Sequence, residues 1–251
     1  MRRLITVLIS LLMVIPTLAA DGNKVLKMVE ERLIGKLAPR DTHAIMLMSI
    51  VDPKGGKKFR EMEVWEKNNP QGDDWRVMKF RKPADVRGVG FLVLSDDQMY
   101  LYLPEFHRIR RIASHTKKES FMGSDFSYDD MGTSGFSRYY NAKLLEEKPH
   151  QYVLLLTLKP GARKPYGKIK MWVSKESMLP VRMELYSKSG ELVKISEQKA
   201  KKIGKYWIPV KIKMTSVKKG SYTVLEMKNI KLDQGISKRI FTKRFLKRRV
   251  K

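Results

Sequence analysis

The sequence predicts a mainly β protein with a few helices, built on one antiparallel meander with a long helix at its N-terminal end. Three observations lead there. From Pro39 onward the chain breaks into short runs in which apolar and polar residues alternate, the period of a strand with one covered face. Turn sequences such as DPKGG, KSG and KKG separate many of these runs, and connectors that short make hairpins. No helix-length segment stands between successive strands, so the spacing of a parallel sheet is missing.

The elements follow in order. MRRLITVLISLLMVIPTLAA joins Arg2 and Arg3 to an apolar run from Leu4 to Ile15, then a proline and small residues. That is the pattern of a secretory signal peptide over residues 1–20, cleaved near Ala19 or Ala20. The run falls short of the roughly 20 apolar residues that a spanning helix needs. Residues 21–251 are therefore expected to be exported and to form a single domain. The chain has no cysteine, which excludes disulfides, thiolate metal sites and lipid attachment behind the signal, and suits a bacterial periplasm.

In DGNKVLKMVEERLIGKL the residues Val25, Val29, Leu33 and Leu37 recur every fourth position, predicting an amphipathic helix from Asn23 to Lys36. Asp21 or Asn23 caps it and Pro39 ends it. A hairpin of Thr42 to Val51 with Lys58 to Lys67 follows, then DWRVMKFRKP, then a pair of strands about Ser95, Asp96 and Asp97. Beyond residues 110–130 come YVLLLTL, KIKMWVS, VRMELYS, ELVKISEQKAKK, YWIPVKIKMTSV and YTVLEMKNIKL, for about ten or eleven strands in all.

Many strands carry large apolar residues on one face only, as Ile169, Met171 and Val173 alternate with Lys168, Lys170 and Trp172. One helix at 1.5 Å per residue cannot cover so wide a sheet. Either the sheet closes on itself, or a concave apolar surface remains for a ligand. The chain has 15 methionines, many in these strands, and methionine suits a wall that accepts varied apolar shapes as well as it fills a core.

The formal net charge is +26, a field that attracts polyanions. Export makes anionic lipid headgroups the expected counter-surface and excludes nucleic acid as the expected partner. Lysines spread along most of the chain also guard sheet edges against pairing.

Residues 110–130, RRIASHTKKESFMGSDFSYDD, hold the densest set of reactive side chains. A Ser-His-Asp device would join Ser124 to His107 or His115, but the G-x-S-x-G elbow is missing. Asp125, Asp129 and Asp130 lack the alternating spacing of a calcium loop. No enzyme, metal or cofactor is expected. Ser124 or Asp125 reads instead as the cap of a short helical turn, its carboxylates pairing with arginines from the preceding strand. Arg110, Arg111, Ser124, Asp125 and Asp130 form this expected structural latch at a cavity mouth.

The stretch KPADVRGVGFLVLSDDQMYLYLPEFHRIRRIASHTKKESFMGSDFSYDDM resembles the signature of the outer-membrane lipoprotein-sorting protein family, relatives of the periplasmic lipoprotein carrier LolA and its receptor LolB. The likeness rests on Lys82-Pro83, Gly88, the strand Phe91 to Leu94, the run Tyr100 to Pro104, Arg110-Arg111-Ile112, and Phe121 to Phe126 with Tyr128 and Asp130. Looser agreement extends to Trp207-Ile208-Pro209 and to Phe241-Thr242 with Arg244 and Leu246. The resemblance implies a strongly curved, incomplete antiparallel barrel with the helix in its mouth and an apolar cavity that shelters acyl chains.

It also implies a carrier or chaperone in the periplasm that takes lipoprotein acyl chains or a related lipid from an inner-membrane exporter to an outer-membrane acceptor. The alternative is a non-enzymatic structural or interaction module of an envelope complex. The residues expected to line the cavity are Val29, Leu33, Met46, Met48, Trp65, Met78, Phe80, Phe91, Val93, Tyr102, Met171 and Met183.

Overall fold

Asp21 starts the first helix, α1 (Gly22–Leu33), by accepting the Asn23 N–H at 3.0 Å. In this computed structural model residues 21–69, 72–132 and 135–249 are described, so the expected signal peptide lies outside them. Val25, Leu26 and Val29 turn inward from α1, as the four-residue apolar spacing requires.

The strands are β1 (Asp41–Val51), β2 (Lys57–Lys67), β3 (Trp75–Lys82), β4 (Gly90–Ser95), β5 (Gln98–Leu103), β6 (Arg108–Arg111), β7 (Tyr140–Glu147), β8 (Gln151–Leu158), β9 (Lys168–Ser174), β10 (Pro180–Tyr186), β11 (Leu192–Ile203), β12 (Tyr206–Ser216) and β13 (Ser221–Leu232). They form one antiparallel sheet in the order β6-β5-β4-β3-β2-β1-β13-β12-β11-β10-β9-β8-β7. The sheet is therefore a curved meander whose first strand pairs with its last, Met48 facing Leu225. It has thirteen strands, not ten or eleven. The additional two are β6 and β7, the free edges, so the sheet curls without closing.

One contiguous core gathers the inward residues of strands from β1 round to β13 together with α1 and with Ile112, Phe121, Phe126, Tyr128 and Met131 of the inner segment, which joins the two edges. Ten of the chain's 15 methionines are buried in this concave core. The start of α1 shields the β7 edge, where Asn23 Oδ1 accepts the Ala142 N–H at 2.9 Å. Gly22 is required there, because a Cβ would come within 2.5 Å of the Leu144 nitrogen.

A smaller core lies on the opposite face of β3, β4 and β5. There Val77, Leu92 and Tyr102 are covered by the C-terminal tail with its short helix α2 (Lys243–Leu246). Phe241 and Leu246 are buried under it, and Asp41 fastens the approach by accepting the Gln234 and Ile236 N–H groups at 2.7 and 3.0 Å.

Candidate functional site

Residues 121–132 fill the concave side, with Phe136 and Tyr139 packed beside them. Phe121 is fully buried, its ring 6.1 Å from Phe80, 5.1 Å from Phe91 and 5.5 Å from Tyr128. Met122 and Gly123 carry positive φ angles of 52° and 75°, which reverses the chain so that the Phe121 N–H meets the Phe126 carbonyl at 2.7 Å. Ser124 donates to the Phe121 carbonyl at 2.7 Å and so holds the tight turn instead of capping a helix. No helix follows; Ser127 instead closes a turn by exchanging bonds with Asp130, the Ser127 N–H reaching the Asp130 carboxylate at 2.8 Å and the Asp130 N–H reaching the Ser127 hydroxyl at 3.2 Å.

Polar anchors tie this inner segment to the sheet. Asp125 is buried and accepts from Ser221 at 2.5 Å and Thr223 at 2.7 Å, while its own N–H donates to the Thr223 oxygen at 2.9 Å. The Arg60 guanidinium donates to the Met122 carbonyl. Asp130 meets the Lys194 ammonium and the Tyr166 hydroxyl, each at 2.8 Å. Lys164 bridges Asp129 at 3.2 Å and Asp96 at 2.7 Å, joining the β8–β9 connection to the inner segment and to the β4–β5 turn. Burial by itself would lower the Lys164 pKa, but the Asp129 and Asp96 carboxylates outweigh it and hold it above the ordinary value. Burial pushes the Asp129 carboxyl up, against the pull of Lys164.

The expected pairing of Arg110 and Arg111 with these carboxylates is not the arrangement found. Both arginines are exposed, and Arg111 donates to the Asp97 carbonyl at 2.6 Å. Strand β6 directs them to solvent, and the carboxylates meet hydroxyls and lysines brought from β11, β13 and the β8–β9 connection instead. Of the expected lining residues, Val29, Met46, Met48, Met78, Phe80, Phe91, Val93, Met171 and Met183 belong to the concave core, and Leu33 packs against it half-buried. Trp65 and Tyr102 lie on the other face beneath the tail. Trp65 stacks on His43 at 5.3 Å and meets the edge of Phe245 at 5.3 Å.

A cavity of about 180 Å³ opens between the inner segment and strands β9 to β12, not beneath α1. Phe126, Ile169, Met183, Leu185, Ile212 and Met214 form its apolar walls, and Ser196 and Gln198 of β11 supply hydroxyl and amide groups. Ser196 is 1% exposed, and among the described residues its hydroxyl meets no partner. These two residues were missed from the sequence, because β11 reads as a polar strand. Polar clefts of about 690 and 940 Å³ flank α1 and the β8–β9 connection. Among the described residues no cluster of histidine and carboxylate side chains suits a metal ion, and no helix is long and apolar enough to cross a membrane.

The β2–β3 connection also braces the inner segment, since Arg138 pairs with Asp73 at 2.8 Å. Beside it, burial pushes the Asp74 carboxyl up to about 7, overcoming the Asn69 N–H that it accepts at 2.8 Å. A carboxyl that binds its proton more tightly when folded stabilises the fold at low pH. This contribution is complete below the ordinary value of 3.8 and is lost as pH rises through about 7. Denaturant titrations are expected to show stability falling by up to about 1.4 kcal/mol per pH unit in that window. Asp74→Asn is expected to flatten that slope; an unchanged slope assigns it to another group.

Fold and site together define a class: an open antiparallel half-barrel whose apolar concave face is covered by its own chain. Solved structures share it. A putative outer membrane lipoprotein-sorting protein domain from Vibrio parahaemolyticus has 26% identity and a TM-score of 0.82, over 90% of this chain and 98% of that one. A DUF1329 family protein from Desulfovibrio piger has 27% identity and a TM-score of 0.82, over 90% and 99%. A LolA superfamily protein from Nitrosomonas europaea, at 23% identity and a TM-score of 0.71 over 90% and 100%, shares the fold. The chain thus has the fold of the outer membrane lipoprotein-sorting and LolA superfamily proteins, as its sequence resemblance implies. It belongs to the family whose model, described as "-like: Uncharacterized protein", matches residues 72–248. No curated protein matches it.

Proposed function

We propose that the protein is a periplasmic carrier that shelters the acyl chains of a lipoprotein or a related lipid on its concave face, and that the described conformation is the self-covered one. The observation that carries this reading is the inner segment. It covers a methionine-rich apolar face, yet it joins the two free edges of the sheet through side-chain anchors and no long strand pairing. A cover held that way can leave while the sheet stays intact.

The energies permit the exchange. Removing Phe121, Phe126, Tyr128 and Met131 from the core costs roughly 1.5–3 kcal/mol each, about 6–12 kcal/mol together. A sixteen-carbon acyl chain returns about 0.8 kcal/mol per methylene, roughly 13 kcal/mol. One chain therefore offsets the apolar cost, and the hydrogen bonds of the anchors set the remaining barrier. No bond of the cargo is made or broken, and no cofactor takes part. An inner-membrane exporter would load the protein, an outer-membrane acceptor would unload it, and its basic surface would favour anionic membranes at both steps. Cleavage of residues 1–20 would release it into the periplasm.

The small cavity supports a second reading, since about 180 Å³ lies below the roughly 300 Å³ at which ligand pockets begin. Under it, the filled half-barrel is a structural or interaction module of an envelope complex. Native mass spectrometry of protein released from the periplasm separates the two. Acyl species are expected to co-purify and to exchange for added lysophospholipid. Protein that is always empty and takes up no lysophospholipid is the module.

A further inference from the structure

Six large apolar side chains are exposed among the described residues, and three of them lie toward one end of the sheet: Phe59 near the start of β2, Phe106 in the β5–β6 connection and Val217 in the β12–β13 turn. The antiparallel order puts the β1–β2, β5–β6 and β12–β13 turns at that same end. The β1–β2 and β12–β13 turns are neighbours, because Val51 pairs with both Lys57 and Tyr222. Around Phe59 and Val217 stand the exposed lysines Lys54, Lys57, Lys58, Lys218 and Lys219. The acid of these two turns, Asp52, accepts the N–H groups of Lys54 and Gly56 at 2.8 and 3.0 Å, which draws its charge into its own turn.

Exposed apolar side chains set among lysines match the boundary of an anionic bilayer, where rings enter the acyl layer and ammonium groups remain with the headgroups. The three side chains project from separate places, one from the start of β2 and two from turns. Separate side chains suit a fluid surface better than the fixed pocket of a protein partner. The same end holds two anchors of the inner segment: Arg60, next to Phe59, and Ser221 with Thr223, just past Lys219.

We infer that this end of the sheet, marked by Phe59, Phe106, Val217 and the five lysines, is the face that docks on an anionic phospholipid bilayer. Its purpose rests on the carrier reading, since docking there sets the anchors of the inner segment against the lipid from which cargo is drawn or into which it is returned.

Co-sedimentation of the folded protein with vesicles tests this. Binding is expected to vesicles of phosphatidylcholine with phosphatidylglycerol, to be absent for phosphatidylcholine alone, and to weaken with salt. Phe59→Ser with Phe106→Ser is expected to weaken binding at least tenfold. Lys57→Glu with Lys58→Glu is expected to weaken it at least about 25-fold, since loss of each positive charge alone costs about fivefold. Lys201→Glu with Lys202→Glu makes the same charge change at the far end of β11 and is expected to cost far less. Equal losses from the two lysine pairs, binding indifferent to the phenylalanines, or no binding by the wild type each overturn the docking face; the second outcome leaves an acidic protein as its partner. Thermal midpoints matching the wild type establish that the variants fold. Uptake of lysophospholipid without vesicles reports on the carrier reading alone, so either idea can fail without the other.

Discussion

Replacing Lys164 by methionine is expected to lower the unfolding free energy by about 3–5 kcal/mol. The side chains concerned are nearly out of solvent, 11% exposed for Lys164 and 6% and 9% for Asp96 and Asp129, so water can do little to replace the ammonium. Removing it leaves two carboxylates facing each other in a low dielectric, and one of them already has its pKa raised by burial. The loss also breaks the link across the open seam, because Lys164 holds the β8–β9 connection to the β4–β5 turn.

The pair's pH behaviour follows from the direction of the shift. With the folded pKa above the ordinary 10.5, the contribution of Lys164 is complete below that value and is lost only as pH rises through the higher folded one. Urea unfolding at neutral pH checks the magnitude. A loss below about 1 kcal/mol puts the pair in the range of surface ion pairs and removes it as the seam's fastening. Lys164→Arg keeps the charge and is expected to recover part of the loss.

What could be read from the sequence follows which forces are local. The alternation in β9 gives its buried and exposed faces without reference to any neighbour, and Ile169, Met171 and Val173 are inward as expected. The four-residue spacing of α1 is equally self-contained. Strand β6 was legible only as a strand end bearing Arg110 and Arg111, not as a separate strand, because three of its four residues are arginine and its pairing comes from β5 alone. Strand β7 was not legible because KLLEE carries no two-residue alternation.

The site was less visible than the fold. Asp125 finds its partners 96 and 98 residues along the chain, and no local pattern announces Ser221 or Thr223 as its donors. Trp65 and Tyr102 look like concave residues in alternation, but a strand covered on both faces loses that signal, and here the second cover is the tail carrying Phe241 and Leu246. The Ser127–Asp130 exchange did leave a sign, the S-x-x-D spacing of SYDD, three residues beyond Ser124.

If the inner segment is the cover of a lipid site, Asp125→Ala is expected to raise lipid uptake even as it lowers stability. The Asp125 carboxylate accepts two short hydroxyl bonds in a buried position, and charge-assisted bonds of that kind are worth about 1.5–3 kcal/mol each. Their loss destabilises the covered state, whereas the uncovered state, with Asp125 in water, loses almost nothing. The equilibrium therefore shifts toward the uncovered form by about 2–4 kcal/mol, allowing for water that reaches the orphaned hydroxyls. Affinity measured for a ligand of the uncovered form scales with the fraction uncovered, so binding of a fluorescent fatty acid is expected to tighten roughly 30- to 1,000-fold, up to the point where that form predominates. Asp125→Asn, which keeps one acceptor, is expected to fall between. Stability and affinity must move in opposite directions across the three proteins. If both fall together, the inner segment is part of the binding wall and not its cover, and the concave face holds cargo, if at all, with the segment in place.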